Sequence, residues 1–187
     1  MSNRNYFRSL WLKRPLFLDT ETTGRGSRSE VVQLAIIDAD GAVLFDELIR
    51  PFGKMDPSAQ RVHGITTNQL KSKPTIDEYA DVILGHITGQ PVVAYNADFD
   101  SRLLRQSLWL AGLDGKQLLR DVRFVDLMKP YATFWGGRNG RWQKLENACI
   151  QQGLALSEVH SALGDAQAAR ALLMCLAGIK EVRSVES

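Results

Sequence analysis

Five side chains of this 187-residue chain are of the types that handle phosphate esters: Asp19, Glu21, Asp100, His160 and Asp165. They fall in three short segments, Phe-Leu-Asp-Thr-Glu-Thr-Thr-Gly (17–24), Asn-Ala-Asp-Phe-Asp (96–100) and His-Ser-Ala-Leu-Gly-Asp (160–165). Phosphodiester cleavage needs an activated water, neutralised phosphate charge and help for the leaving oxygen. Two hard cations a few ångströms apart can supply all three. Such cations take oxygen ligands, so carboxylates are the expected donors.

Spacing sharpens that reading. Asp19 and Glu21 are two apart after the apolar run Leu16-Phe17-Leu18. On a strand, alternation puts both on one face. Two carboxylates side by side repel unless a cation lies between them. Solvated acids at a strand end are the plainer alternative. The apolar strand before them weakens it, as does the turn Thr22-Thr23-Gly24, where backbone can approach a substrate. Asp98 and Asp100 point about 200° apart on a helix, so only one can face the site. Asn96 is positioned to cap that helix. His160 reads as a loop residue before the last helix, with Asp165 near the first turn. Of the other histidines, His86 sits in a plain amphipathic helix and His63 in a Val-His-Gly-Ile-Thr segment.

The elements that must hold these residues are legible as well. Residues 31–37 form a nearly continuous apolar run rich in β-branched residues, as in a strand buried on both faces. Asp40-Gly41 is a hairpin signal, with a third, antiparallel strand over 42–49. Short helical pieces are expected at 57–63 and 66–70. Ile76, Tyr79, Ala80, Ile83 and Ile87 repeat at helical spacing up to Gly89. A short strand at 91–95 is followed by a helix to about Ala111, then a fifth strand at 122–125. Trp142, Leu145 and Cys149 mark another helix. Ala162, Ala166, Ala169, Leu173 and Leu176 form the stripe of the last. Three antiparallel strands followed by alternating strands and helices predict an α/β domain with a mixed sheet.

The three segments together resemble the DEDDh exonucleases, the superfamily of the proofreading epsilon subunit of bacterial DNA polymerase III. The resemblance spans residues 17 to about 176. It implies a ribonuclease-H-like mixed five-stranded sheet flanked by helices. The superfamily's Asn-Ala-x-Phe-Asp pattern selects Asp100, leaving Asp98 as a first-turn acid that complements the helix dipole. The resemblance implies two divalent cations, Mg²⁺ with Mn²⁺ as substitute, held by Asp19, Glu21, Asp100 and Asp165. His160 would accept the proton of the attacking water. The product would be a nucleoside 5′-monophosphate released from a 3′ end. His63 and Ile65 would contact the terminal base and sugar, although the same segment also reads as a helix-ending turn with Ile65 in the core. Phe99 would border that pocket or pack in the core.

The expected partners are single-stranded or frayed 3′ ends, DNA ahead of RNA, and a DNA polymerase. In the epsilon subunit a tethering segment follows the exonuclease domain. Here about ten residues follow the last predicted helix, so a free-standing enzyme and a polymerase subunit are both expected settings. A non-catalytic accessory subunit is the alternative from another class, disfavoured by five intact catalytic positions.

Net charge is +2, so nucleic-acid binding must come from local patches. Residues 130–142 mix aromatics, three glycines and two arginines, the ingredients of a strand-gripping loop or of an ordinary surface loop whose Trp142 packs inward. The basic, aromatic residues 1–15 are expected as an arm that touches substrate or partner, or straps the domain. Residues 16–178 form the expected exonuclease domain and 179–187 a tail. Cys149 and Cys175 lie in apolar helical patterns and read as reduced core thiols. No run is long enough to cross a membrane and the start does not read as a signal peptide, so a cytoplasmic protein is expected.

Overall fold

The computed structural model describes residues 3–155 and 160–179. In chain order the elements are α1 (Asn3–Trp11), β1 (Leu16–Thr22), β2 (Val31–Ile37), β3 (Val43–Leu48), α2 (Pro57–His63), α3 (Thr67–Leu70), α4 (Ile76–Ile87), β4 (Pro91–Ala94), α5 (Ala97–Leu110), α6 (Gly115–Leu118), β5 (Arg123–Asp126), α7 (Met128–Gly136), a 3₁₀ turn (Gly137–Asn139), α8 (Leu145–Gln151) and α9 (Ala162–Leu176). The five strands lie in the order β3-β2-β1-β4-β5. β1–β2 and β2–β3 are antiparallel, whereas β1–β4 and β4–β5 are parallel. This is the expected mixed sheet.

Strand alternation sorts the core into two layers. Phe17, Ala35, Ile37 and Val93 face α1 and α9. Leu16, Leu18, Leu34, Ile36 and Val92 face α4 and α5. β2 is therefore buried on both sides, which is why its sequence is almost uninterruptedly apolar. Ala162, Ala166 and Ala169 are all buried, and their small side chains let α9 lie close over β1 and β2.

The N-terminal arm packs on the domain, as in the strap alternative, and does so as a helix, α1, whose Phe7 and Leu10 are buried in the α9-side core. Phe7, Leu10 and Trp11 follow helical i, i+3, i+4 spacing, so they reach one face and share the domain's core. Residues 130–142 are mostly helical rather than a loop. Tyr131 is fully buried and its ring stacks on Trp135 one turn later, centroids 6.5 Å apart. The chain then folds back so tightly that a Cβ at Gly140 would lie 1.8 Å from the Ala132 carbonyl oxygen. Trp142 stays outside α8 and is 68% exposed.

A bulge interrupts β1–β2 pairing between Glu21 and Thr22. There Ser107 of α5 replaces a ladder partner. Its hydroxyl accepts from the Val31 amide at 2.8 Å and donates to the Leu103 carbonyl at 2.8 Å. Ser107→Ala would leave a buried N–H unpaired. It is expected to cost about 1–3 kcal/mol in urea unfolding. An unchanged midpoint would show that the bulge amide has another partner.

Candidate active site

β1 carries the first two acids toward the α9 layer. Asp19 and Glu21 alternate with Leu18, Thr20 and Thr22, which point the other way. α9 brings the third acid. Its start is fixed twice: Ser161 Oγ accepts from the Gly164 amide at 3.1 Å, and the Gln33 side chain of β2 accepts from the Ala162 amide at 3.3 Å. Asp165 is thereby held over β1. Ligand oxygens of Asp19, Glu21 and Asp165 all lie within 4.8 Å of one another.

Asp100 joins from the opposite layer. It is buried in the first turn of α5 and accepts from Thr20 Oγ1 at 2.8 Å. Asp98 is exposed and pairs with Lys129. Asn96 stands at the helix start, but its side chain makes no capping bond. Asp126, the last residue of β5, takes that role and accepts from the Ala97 amide at 3.1 Å and the Lys129 amide at 2.8 Å. The sequence reading missed Asp126, although an aspartate three residues before Lys129 is an ordinary N-terminal capping signal. Tyr95 was missed too. It lines the acidic cleft, and its hydroxyl donates to the Gln143 carbonyl at 2.8 Å.

The carboxylates are under electrostatic stress. Burial, then the charges of Asp100, Asp165 and Glu21, push Asp19 well above the usual carboxylate range. Burial and the neighbouring Asp165 and Asp100 push Glu21 up to about 7. Burial likewise raises Asp100 to about 7, opposed by its Thr20 hydrogen bond. Asp165 is raised by burial, offset by His160 charge and by a hydrogen bond from the His160 amide. Oxygen-only donors that cannot comfortably hold their charges together suit a divalent cation. His160 is exposed at the rim of this cleft and adopts φ +67°.

These shifts fix a pH dependence. Raised carboxyl pKa values mean that the fold binds more protons than the unfolded chain between about pH 4 and 7. Stability of the cation-free protein should therefore fall as pH rises through that window. A melting temperature lower by about 5–10 °C at pH 8 than at pH 5 is expected. Mg²⁺ should restore it at pH 8 and do little at pH 5. Equal cation stabilisation at both pH values would contradict the assignment.

A larger cleft of about 570 Å³ opens beside the acids, between the β1 end, the 24–26 turn, α2 and Phe99. His63 lines it with its ring nitrogens already engaged. Nδ1 accepts from the Ile65 amide at 3.0 Å, so Nε2 carries the proton and donates to the Thr22 carbonyl at 3.2 Å. Burial lowers its pKa, and the neutral ring is the form this geometry needs. Thr22 and Gly24 line the cleft, with the Thr22 hydroxyl donating to the Gly24 carbonyl at 2.7 Å. Thr23 is buried and ties the turn together, its hydroxyl accepting from the Glu30 amide at 2.9 Å. Ile65 packs with Val32 and Leu70 beneath the cleft rather than lining it, because Gly64 turns the chain inward at φ +73°. Phe99 borders both clefts.

The family model described as Exonuclease (RNase T) matches residues 16–173. The chain belongs to this exonuclease family. An exonuclease of Escherichia phage 186 is 32% identical over 175 residues, covering 89% of this chain and 90% of its own. The DNA polymerase III epsilon subunit of Escherichia coli K12 is 29% identical, covering 89% of this chain and 72% of its own. A PolC-type DNA polymerase III of Thermotoga maritima is 29% identical over 158 residues, covering 80% of this chain and only 11% of its own length. Solved structures share the fold. Exonuclease X in complex with 5′-overhanging duplex DNA superposes with a TM-score of 0.61 at 24% identity, over 88% of this chain and 93% of its own. The nuclease domain of 3′hExo, a DEDDh family member bound to rAMP, gives 0.69 at 16% identity, over 87% and 91%. The exonuclease thus has the ribonuclease-H-like α/β architecture of the DEDDh enzymes. Among its described residues no helix is long and apolar enough to cross a membrane.

Proposed function

We propose that this exonuclease removes nucleotides one at a time from the 3′ end of single-stranded or frayed DNA, releasing nucleoside 5′-monophosphates. The observation that carries the reading is the meeting of Asp19, Glu21 and Asp165 within 4.8 Å, in a cleft that Asp100 and His160 also line. Asp19, Glu21, Asp100 and Asp165 would hold two divalent cations, Mg²⁺ or Mn²⁺. When bound, these supply positive charge to the phosphate and lower the pKa of water.

The chain's own residues do the rest. Asp19, which feels the charges of Asp100, Asp165 and Glu21 alike, would serve both cations, as likeness to the DEDDh enzymes implies. Asp100 is oriented by the hydrogen bond it accepts from Thr20. His160, exposed beside Asp165, would accept a proton from the attacking water and pass it to solvent. Phe99 and His63 wall the cleft where the last base and sugar lie. Thr22 and Gly24 keep the turn backbone close to that nucleotide.

Likeness to polymerase III epsilon favours DNA over RNA and a polymerase as partner, in keeping with a cytoplasmic protein. The test is a gel assay with matched 5′-labelled single-stranded DNA and RNA, with Mg²⁺, Mn²⁺ or chelator. The expected result is a cation-dependent ladder shortening from the 3′ end, faster on DNA. Faster loss of RNA would reassign the enzyme to RNA ends. No cleavage of either by folded protein would favour an accessory role in a polymerase assembly.

A further inference from the structure

The outer ridge of α5 does not stop at the cleft. Phe99, Arg102, Gln106 and Trp109 succeed one another at helical i+3 and i+4 steps and so form one stripe. Phe99 borders the clefts at one end. At the other end Trp109 is 67% exposed and stands over a recess of about 270 Å³. Ser27, Arg105, Gly115 and Lys116 line that recess. Its acid, Asp114, is committed to capping α6, accepting from the Gln117 amide at 3.0 Å.

The 25–29 loop bridges cleft and recess, and α5 holds it in place. Gln106 donates to the Gly26 carbonyl at 3.2 Å and to the Ser29 carbonyl, and Arg102 reaches the Arg25 carbonyl at 3.5 Å. Arg25, Arg28, Arg105 and Lys116 are exposed and take part in none of the three ion pairs found among the described residues. Four cations and an exposed indole therefore lie along a path continuous with the active-site cleft. That is the combination used to hold a single strand by its backbone and by stacking.

We propose that this ridge is a second binding region, on which the single strand upstream of the terminal nucleotides runs over the 25–29 loop and stacks a base on Trp109. The proposal rests on the nucleic-acid function above and extends it to substrate length. Phe99 and Trp109 are ten residues apart, about 15 Å along the helix. That matches about four nucleotides at 3.4 Å each. Affinity should therefore grow with strand length to about five or six nucleotides and then level off. Trp109 governs stacking, while Arg105 and Lys116 govern the charge.

The experiment measures steady-state hydrolysis of 5′-fluorescein-labelled oligo-dT of two to ten nucleotides with Mg²⁺. It compares wild type, Trp109→Ala and Arg105→Gln/Lys116→Gln, each checked by thermal melting. Expected is an unchanged kcat and dinucleotide KM in both variants, with KM on the ten-mer raised about tenfold by Trp109→Ala. The double variant should lower the slope of log KM against log salt by about 1.4 on the ten-mer. An unchanged ten-mer KM and salt slope would overturn the proposal, as would an equal rise on the dinucleotide. A wild-type KM independent of length would overturn the ridge while leaving the exonuclease reading intact. No hydrolysis at any length would overturn both.

Discussion

Replacing Asp100 by asparagine is expected to lower kcat by about 10³-fold or more while making the cation-free protein more stable above pH 7. The two effects have one origin. Asp100 is buried, and among the described residues the Thr20 hydroxyl is the side-chain donor to it. Its carboxyl is pushed up to about 7, so ionising it costs the fold free energy. A raised folded-state pKa favours the fold at low pH and loses that advantage as pH climbs through 7. Asparagine still accepts from Thr20 but brings no charge to desolvate. The gain should be about 2–4 kcal/mol at pH 8 and close to zero at pH 4. Urea unfolding in chelator at the two pH values measures it. Equal stability of variant and wild type at pH 8 would mean that Asp100 is not carrying a buried charge. Near-normal turnover would remove it from the active site.

Changing His160 to glycine should separate chemistry from architecture in a second way. His160 adopts φ +67°, a conformation glycine enters freely and other residues adopt only at some cost. The variant is therefore expected to be as stable as wild type or more stable by about 0.5–1 kcal/mol. If His160 takes the proton from water, kcat should fall by about 10²–10⁴-fold with little change in KM. Cation affinity should hold, because the backbone amide that reaches Asp165 survives the substitution. Calorimetric Mg²⁺ titration beside the rate measurement distinguishes the roles. A large loss of cation affinity would make the imidazole a ligand instead of the base.

Much of this site was legible because its residues sit on regular elements. Period two put Asp19 and Glu21 on one face of β1. The helical turn separated Asp98 from Asp100, and the structure leaves Asp98 exposed and paired with Lys129 while burying Asp100. What escaped were partnerships between elements. Asp126 serves the start of α5 from β5, twenty-nine residues away in sequence, so local inspection gave that task to Asn96. The buried face of α1 was hidden among basic residues that stay in solvent, and the aromatics of α7 looked like a sticky loop until Tyr131 found the core. The fate of Ile65 was open for the same reason. An apolar residue after a Gly turn fits a pocket wall or a core, and only the position of Leu70 and Val32 decides.

The last helix has a consequence for how this nuclease comes into being. Asp19 and Glu21 are made early, yet their third partner rides on α9, and the bond that docks α9 joins residues 129 positions apart. Chains leave the ribosome N-terminal end first, and contacts of such long range are slow to form. During synthesis the strands can pair well before the acidic cluster closes. On the proposed role of Asp165 in the cation site, a nascent chain is expected to stay inactive until α9 docks, and a chain interrupted before α9 is expected to carry three of the four acids without cutting.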